Sequence, residues 1–262
     1  RRALSHGSST TACDLRGLQG PGPATVWLRQ GSRQGNGLGI ALVILAGTIN
    51  TFLPIGMFAA IYSLFCDVGY TATTYQRIAE RCGHDRTLVQ YHVPRKADLA
   101  AQFLADLLDA GERALRGRGL AVDDPVVYRY RLAQVYFAAL AGESLRRFAL
   151  EALDQRSIVQ GVLTRDIDWN LSLVDPPAGA RQRIIDDSVM GVGGAYELLI
   201  FRLRHDLPAD PGDLARRTLL TSVRSEVDGL PDDQAIQENT LSAEQLAGPV
   251  DDVTAALHGK GS

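Results

Sequence analysis

Aromatic side chains are scarce in this chain of 262 residues, at 6%, while alanine, leucine, arginine and aspartate are plentiful. That balance favours helices over a β-sandwich. Cysteine is nearly absent too. Cys13, Cys66 and Cys82 stand far apart with no C-x-x-C pair, which fits neither a disulfide framework nor a zinc knuckle. A reducing, cytoplasmic setting is the expectation. An excess of either charge is also lacking, since 27 Lys+Arg oppose 30 Asp+Glu for a net charge of -3. A globally basic coat is thereby excluded, and any nucleic-acid contact must come from a local patch. What the chain does have is 45% hydrophobic and 22% charged residues, enough to build a core and too apolar for wholesale disorder.

Residues 1–37 are rich in Gly, Ser, Gln and Arg, with Arg1, Arg2, Arg16, Arg29 and Arg33 against the single Asp14. They read as a flexible arm. From Gln34 to Cys66 no residue is charged, and Ile40 to Ile55 is apolar enough to raise the question of a membrane span. Asn50, Pro54 and Gly56 divide that run into pieces shorter than the ~20 residues a bilayer needs. The arginine-rich flank would also send everything beyond residue 66 out of the cytoplasm. Residues 1–56 are therefore set apart as an arm plus an apolar segment of unassigned nature, and a membrane partner is not expected.

Beyond Cys66 the pattern is helical to about residue 227. Leu99, Phe103, Leu107, Leu108, Gly111 and Leu115 recur at three- and four-residue steps, which predicts one amphipathic helix over 96–117. Asp123, Asp124 and Pro125 form a helix start followed by Tyr130, Ala133, Phe137 and Leu140. Further helices are predicted over 144–153, 159–173, 178–204 and 211–227, with prolines between them. From Glu226 to Asp252 eight residues are acidic, and 229–262 reads as a solvated, disordered tail with at most a weak helix at 242–246.

The stretch 57–99 carries the functional information. A first helix over 59–67 is predicted to end at Gly69, a residue free to adopt the left-handed conformation. Thr73 is placed to head a capping box with Gln76, starting a second helix over 74–81 with Ile78 and Ala79 inward. Gly83 makes the turn, Asp85 caps a third helix through His92, and Pro94 stops it. Two short helices around a glycine turn, braced by a third, describe a helix-turn-helix, with the motif at about 74–93. On the third helix Val89 and Val93 must face the core, which leaves Arg86, Thr87, Gln90 and Tyr91 outward. Arginine can read guanine, glutamine adenine and threonine a base edge or phosphate, while Tyr91 and His92 suit phosphate. Thr73, Thr74 and Lys96 complete the expected DNA contacts.

This segment resembles the N-terminal DNA-binding domain of the tetracycline-repressor (TetR) family. The matches are Phe65, Gly69 and Tyr70, then Thr73, Thr74, Ile78, Ala79 and Gly83, then Tyr91, His92, Pro94, Lys96 and Leu99. They span about forty residues. Departures are His84, Asp85, the Thr87–Leu88 pair, Val93 and Arg95, where the family usually carries Val, Ser, Gly-Thr, Phe and Ser or Thr. The resemblance implies an all-α fold: a helix-turn-helix domain at 57–99, then a helical effector-binding and dimerisation domain at 100–228. It further implies a homodimeric repressor that binds a palindromic operator on double-stranded DNA and leaves it when a small molecule enters the helical domain.

Tyr128, Tyr136, Phe148 and Trp169 are candidate lining for that effector pocket. Ile185, Val189, Val192, Tyr196, Leu199 and Leu203 repeat at 4-3-4-3-4 spacing, a heptad-like stripe that suits a two-fold helical interface. His84, His92, His205 and His258 show no metal-ligand spacing, and neither G-x-S-x-G nor a Cys-His pair occurs. No cofactor and no enzymatic activity are expected. Two other readings stay open: a DNA-binding architectural or protein-interaction module without an effector, and a membrane-tethered regulator.

Overall fold

A computed structural model describes residues 40–173, 179, 181–222 and 233–258. Among the described residues the chain is all-α, with eleven helices and no strand. It divides into two compact units, Arg1–Ile49 and Asn50–Ser262. Of the first, only the helical backbone of 40–49 is described, and the expected arm at 1–37 lies outside the described residues.

The first helix, α1 (Ile40–Ala72), runs through Asn50, Pro54 and Gly56, positions expected to interrupt it. It breaks only at Gly69, where φ is 83° and ψ 178°. That backbone is open essentially to glycine alone and differs from the left-handed cap expected there. Next come α2 (Tyr75–Cys82) and α3 (Arg86–His92). The cap of α2 is Thr74, whose hydroxyl accepts the Arg77 N–H at 3.3 Å, and not Thr73. Thr73 is wholly buried and donates its hydroxyl to the Gly69 carbonyl at 2.7 Å, while the Gln76 amide turns outward to Glu80. The expected capping box fails because the Gly69 break moves the helix start on by one residue. Gly83 does take the left-handed turn (φ 68°, ψ 30°), and Asp85 caps α3 by accepting the Thr87 N–H at 2.7 Å.

The helices α4 (Lys96–Gly117), α5 (Pro125–Ala141), α6 (Glu143–Ala152), α7 (Arg156–Leu173), α8 (Arg181–Arg204) and α9 (Pro211–Ser222) follow. Residues 223–227 of the last predicted helix lie outside the described residues. Helix α5 starts where the sequence puts it, with Asp124 accepting the N–H groups of Val126 and Val127 and Pro125 in the first turn. Helix α8 packs along α7 and α9, and α9 along α5. The aromatic rings are few but gathered: Phe65 of α1, Phe103 of α4 and Phe148 of α6 meet with centroids 4.7–5.4 Å apart. All three are fully buried, and burial of each stabilises the fold by roughly 1.5–3 kcal/mol.

The acidic tail is not the disordered segment expected. It contains α10 (Asp233–Glu238) and α11 (Ala243–Leu257), and α11 lies over α4 and α5. Its net charge hides an apolar series, Leu246, Val250, Val253 and Leu257, at helical spacing, of which Val253 and Leu257 are buried together with Ile236 and Leu241. A capping box of Ser242 and Gln245 starts α11. One of its acids is neutralised, because Arg118 donates two hydrogen bonds to Asp252 at 2.6 and 2.8 Å.

Candidate nucleic-acid interface

Helices α2 and α3 pack against each other through Ile78, Ala79, Val89 and Val93, all buried. With Val89 and Val93 anchored inward, the opposite face of α3 presents Arg86, Thr87, Gln90 and Tyr91 to solvent. Tyr91 is 80% exposed and stacks edge-on against His92, which is half-buried. Thr74 is exposed beside the start of α2.

The cations of this segment are not equally available. Arg81 is tied to Ser63 and Asp67 of α1, and Arg95 pairs with Asp98. Lys96 donates to the carbonyls of Tyr70 and Thr73 at 2.8 and 3.0 Å, with its ammonium 4.1 Å over the Tyr70 ring. Burial pulls its pKa down, opposed by the nearby Glu151 carboxylate. One further expectation is corrected here, since Thr73 is sealed in the core; Lys96 directs two of its N–H donors to backbone carbonyls where α1 gives way to α2. Arg86 has no carboxylate partner among the described residues, and Arg77 bonds only the Ala72 carbonyl. Arg77 and Arg86 are thus the cations left to face a polyanion.

Sequence reasoning missed Glu151. Its carboxylate accepts the Thr71 backbone N–H at 2.6 Å across 80 residues of chain and is held by Arg147 at 3.0 Å. No local pattern signals such a contact.

Of the four candidate pocket residues, the three with described side chains stand in different surroundings. Tyr136 is buried with its hydroxyl 2.8 Å from that of Tyr196, and Phe148 belongs to the ring cluster with Phe65 and Phe103. Tyr128 lies eight residues before Tyr136 on α5, about 12 Å along the axis, under the Arg116 guanidinium. The side chain of Trp169 lies outside the described residues. Among the described residues a surface cleft of about 300 Å³ is lined by Tyr62, Asp106, Asp109, Arg113, Ala256 and Leu257.

The proposed interface stripe is also largely internal. Val192, Tyr196, Leu199 and Leu203 are buried within the chain, Ile185 is half-buried and Val189 is 44% exposed. Heptad-like spacing serves any helix packed between two others, here α7 and α9, as well as a seam between subunits. The outward face of α8 carries Met190, Gly194, Glu197 and Phe201, with Met190 59% and Phe201 54% exposed.

Comparison with known proteins finds no matching family model, no matching curated protein and no matching solved structure. Among the described residues no cluster of three His, Cys, Asp or Glu side chains is placed to hold a metal ion. Among the residues whose side chains are described, which in α1 begin at Gly56, no helix is long and apolar enough to cross a membrane.

Proposed function

We propose that the chain is a DNA-binding transcriptional regulator of the tetracycline-repressor type, in which α2 and α3 form the helix-turn-helix and α3 enters the major groove. The observation that carries this reading is the division of α3 into a buried Val89–Val93 edge and an exposed Arg86–Thr87–Gln90–Tyr91 face. A helix of that width fits the groove, and those side chains supply base-edge and phosphate contacts. The reading includes a homodimer on a palindrome, with the interface moved from the buried stripe to the Met190–Phe201 face of α8. Repression relieved by a small molecule acts through a shift between conformations of differing DNA affinity.

A second reading, DNA binding without a small-molecule effector, is favoured by one observation. Tyr136 and Phe148 are consumed by packing partners in the core. Selection of duplexes from a random library, followed by footprinting, tests both readings. A palindromic consensus with steep salt dependence is expected, and sequence-independent or salt-independent binding refutes the regulator. A screen of small molecules for release from the selected duplex then separates the two.

A further inference from the structure

We infer that Glu151 is a positioning residue for DNA reading, carrying the placement of α6 into the turn that sets α2 and α3; the inference rests on the DNA-binding reading above. Residues 69–73 hand the chain from α1 to α2, and that turn is gripped from two sides. On one, Lys96 holds the carbonyls of Tyr70 and Thr73. On the other, Glu151 holds the Thr71 N–H at 2.6 Å, braced by Arg147. Thr71 is exposed, so water could satisfy its N–H and the carboxylate is not demanded by burial. The contact constrains where the turn sits.

Close approach is built into the backbone as well. A Cβ on Gly69 would lie 2.8 Å from Glu151 Oε2 and 2.9 Å from Arg147 Cγ, and the φ of 83° excludes ordinary side chains independently. Helix α6 is in turn fastened to the end of α8, where Arg146 donates to the Leu203 carbonyl at 2.6 Å and to Asp206 at 2.7 Å. A displacement of α8 thus has a continuous hydrogen-bonded route through α6 to the turn before the reading helices. Such a route transmits a signal only if the turn changes position with it, and this can be measured.

Site-resolved amide exchange on the full chain compares wild type with Glu151→Ala and with Glu151→Gln, which keeps an acceptor oxygen but no charge. Glu151→Ala is expected to raise exchange at Thr71 and through 75–92 roughly tenfold, with the amides of Phe103 and Leu140 unchanged. Glu151→Gln should return most of the protection. A residue that merely stabilises the fold would speed exchange everywhere alike, so a uniform rise, or unchanged protection at Thr71 and 75–92, overturns the inference. If Glu151→Ala does not fold, a smaller rise of the same pattern in Glu151→Gln decides. In a second arm, affinity for a duplex selected from a random library should fall roughly tenfold in Glu151→Ala at an unchanged salt slope. Normal affinity with a loosened 75–92 segment overturns the link to reading. Failure of the wild type to select any duplex refutes the DNA-binding reading instead, leaving exchange to decide the coupling.

Discussion

Lys96 Nζ lies 2.8 Å from the Tyr70 carbonyl oxygen and 4.1 Å above the centroid of the same tyrosine's ring, so one ammonium from α4 closes the end of α1. A lysine used in this way differs from one waiting for a phosphate. Lys96→Ala should lower stability by about 1–3 kcal/mol, the worth of hydrogen bonds to a charged group. DNA affinity should fall for all sequences alike with no change in salt slope, whereas loss of a phosphate contact would reduce that slope by about one. Thermal melts and binding across a salt series separate the two.

Gln90 and Arg86 face water from α3 without a structural task. Gln90→Ala should leave the melting temperature unchanged and cost ~1–3 kcal/mol at one base pair of the selected site. A library selection repeated with the variant reads this directly, and an unchanged consensus would mean that Gln90 does not reach a base.

Val192 and Met190 are two residues apart on α8 but face opposite surroundings, one buried and one 59% exposed. Val192→Glu should destabilise the fold by several kcal/mol, because a carboxylate without a partner is forced into the core or must take up a proton. Met190→Glu should keep its helicity by circular dichroism yet run as a monomer by light scattering. A dimeric Met190→Glu protein with normal operator affinity would move the interface off this face of α8.

Acid should weaken the fold in a defined direction. Burial opposes ionisation of Asp213, but Arg202 and Arg217 hold its carboxyl below the usual range. Glu151 likewise is penalised by burial but held low by the Thr71 N–H and Arg147. A lowered native pKa means the unfolded chain binds more protons near pH 4. The contribution is therefore fully present above the ordinary carboxylate range and is lost as pH falls through the native values. Asp213→Asn and Glu151→Gln should each flatten the acid limb of a stability-against-pH curve.

The cover formed by α11 rests on apolar contact more than on its ion pair. Leu257→Ala, at a 5% exposed position, should cost about 2–5 kcal/mol by denaturant titration. Arg118→Ala, which removes a solvent-screened pair with Asp252, should move the denaturation midpoint far less than Leu257→Ala does.

Periodicity and capping residues made the boundaries of α4 and the starts of α3 and α5 readable, because those features are local: a proline, an aspartate cap, an apolar step of three or four. What escaped was set partly by neighbouring turns and partly by distant chain. Thr73 looks like a cap in sequence, and only the break at Gly69 turns it inward. Charge composition concealed α11, since the eight acids over 226–252 mark one acidic tail although only Glu244, Asp251 and Asp252 fall inside the helix, and helical spacing at 246, 250, 253 and 257 was there to find. The α8 stripe was visible as a pattern, but spacing alone does not say whether the partner helix belongs to the same chain. Tyr136 and Tyr196 could not be paired in advance, as their hydroxyls meet across 60 residues.

Arg118 and Asp252 are joined across 134 residues of chain, and this separation has a consequence in time. At ~5–20 residues per second of synthesis, the α4–α5 surface is made on the order of ten seconds before the helix that covers it. Closing so long a loop adds little to the entropic cost, which grows only with the logarithm of length, so delay is the main penalty. During it, the part of α4 and α5 that later meets Val253 and Leu257 faces the solvent as an apolar strip on a half-made protein, and the order of synthesis, more than the final stability, sets how long the nascent chain is open to wrong partners.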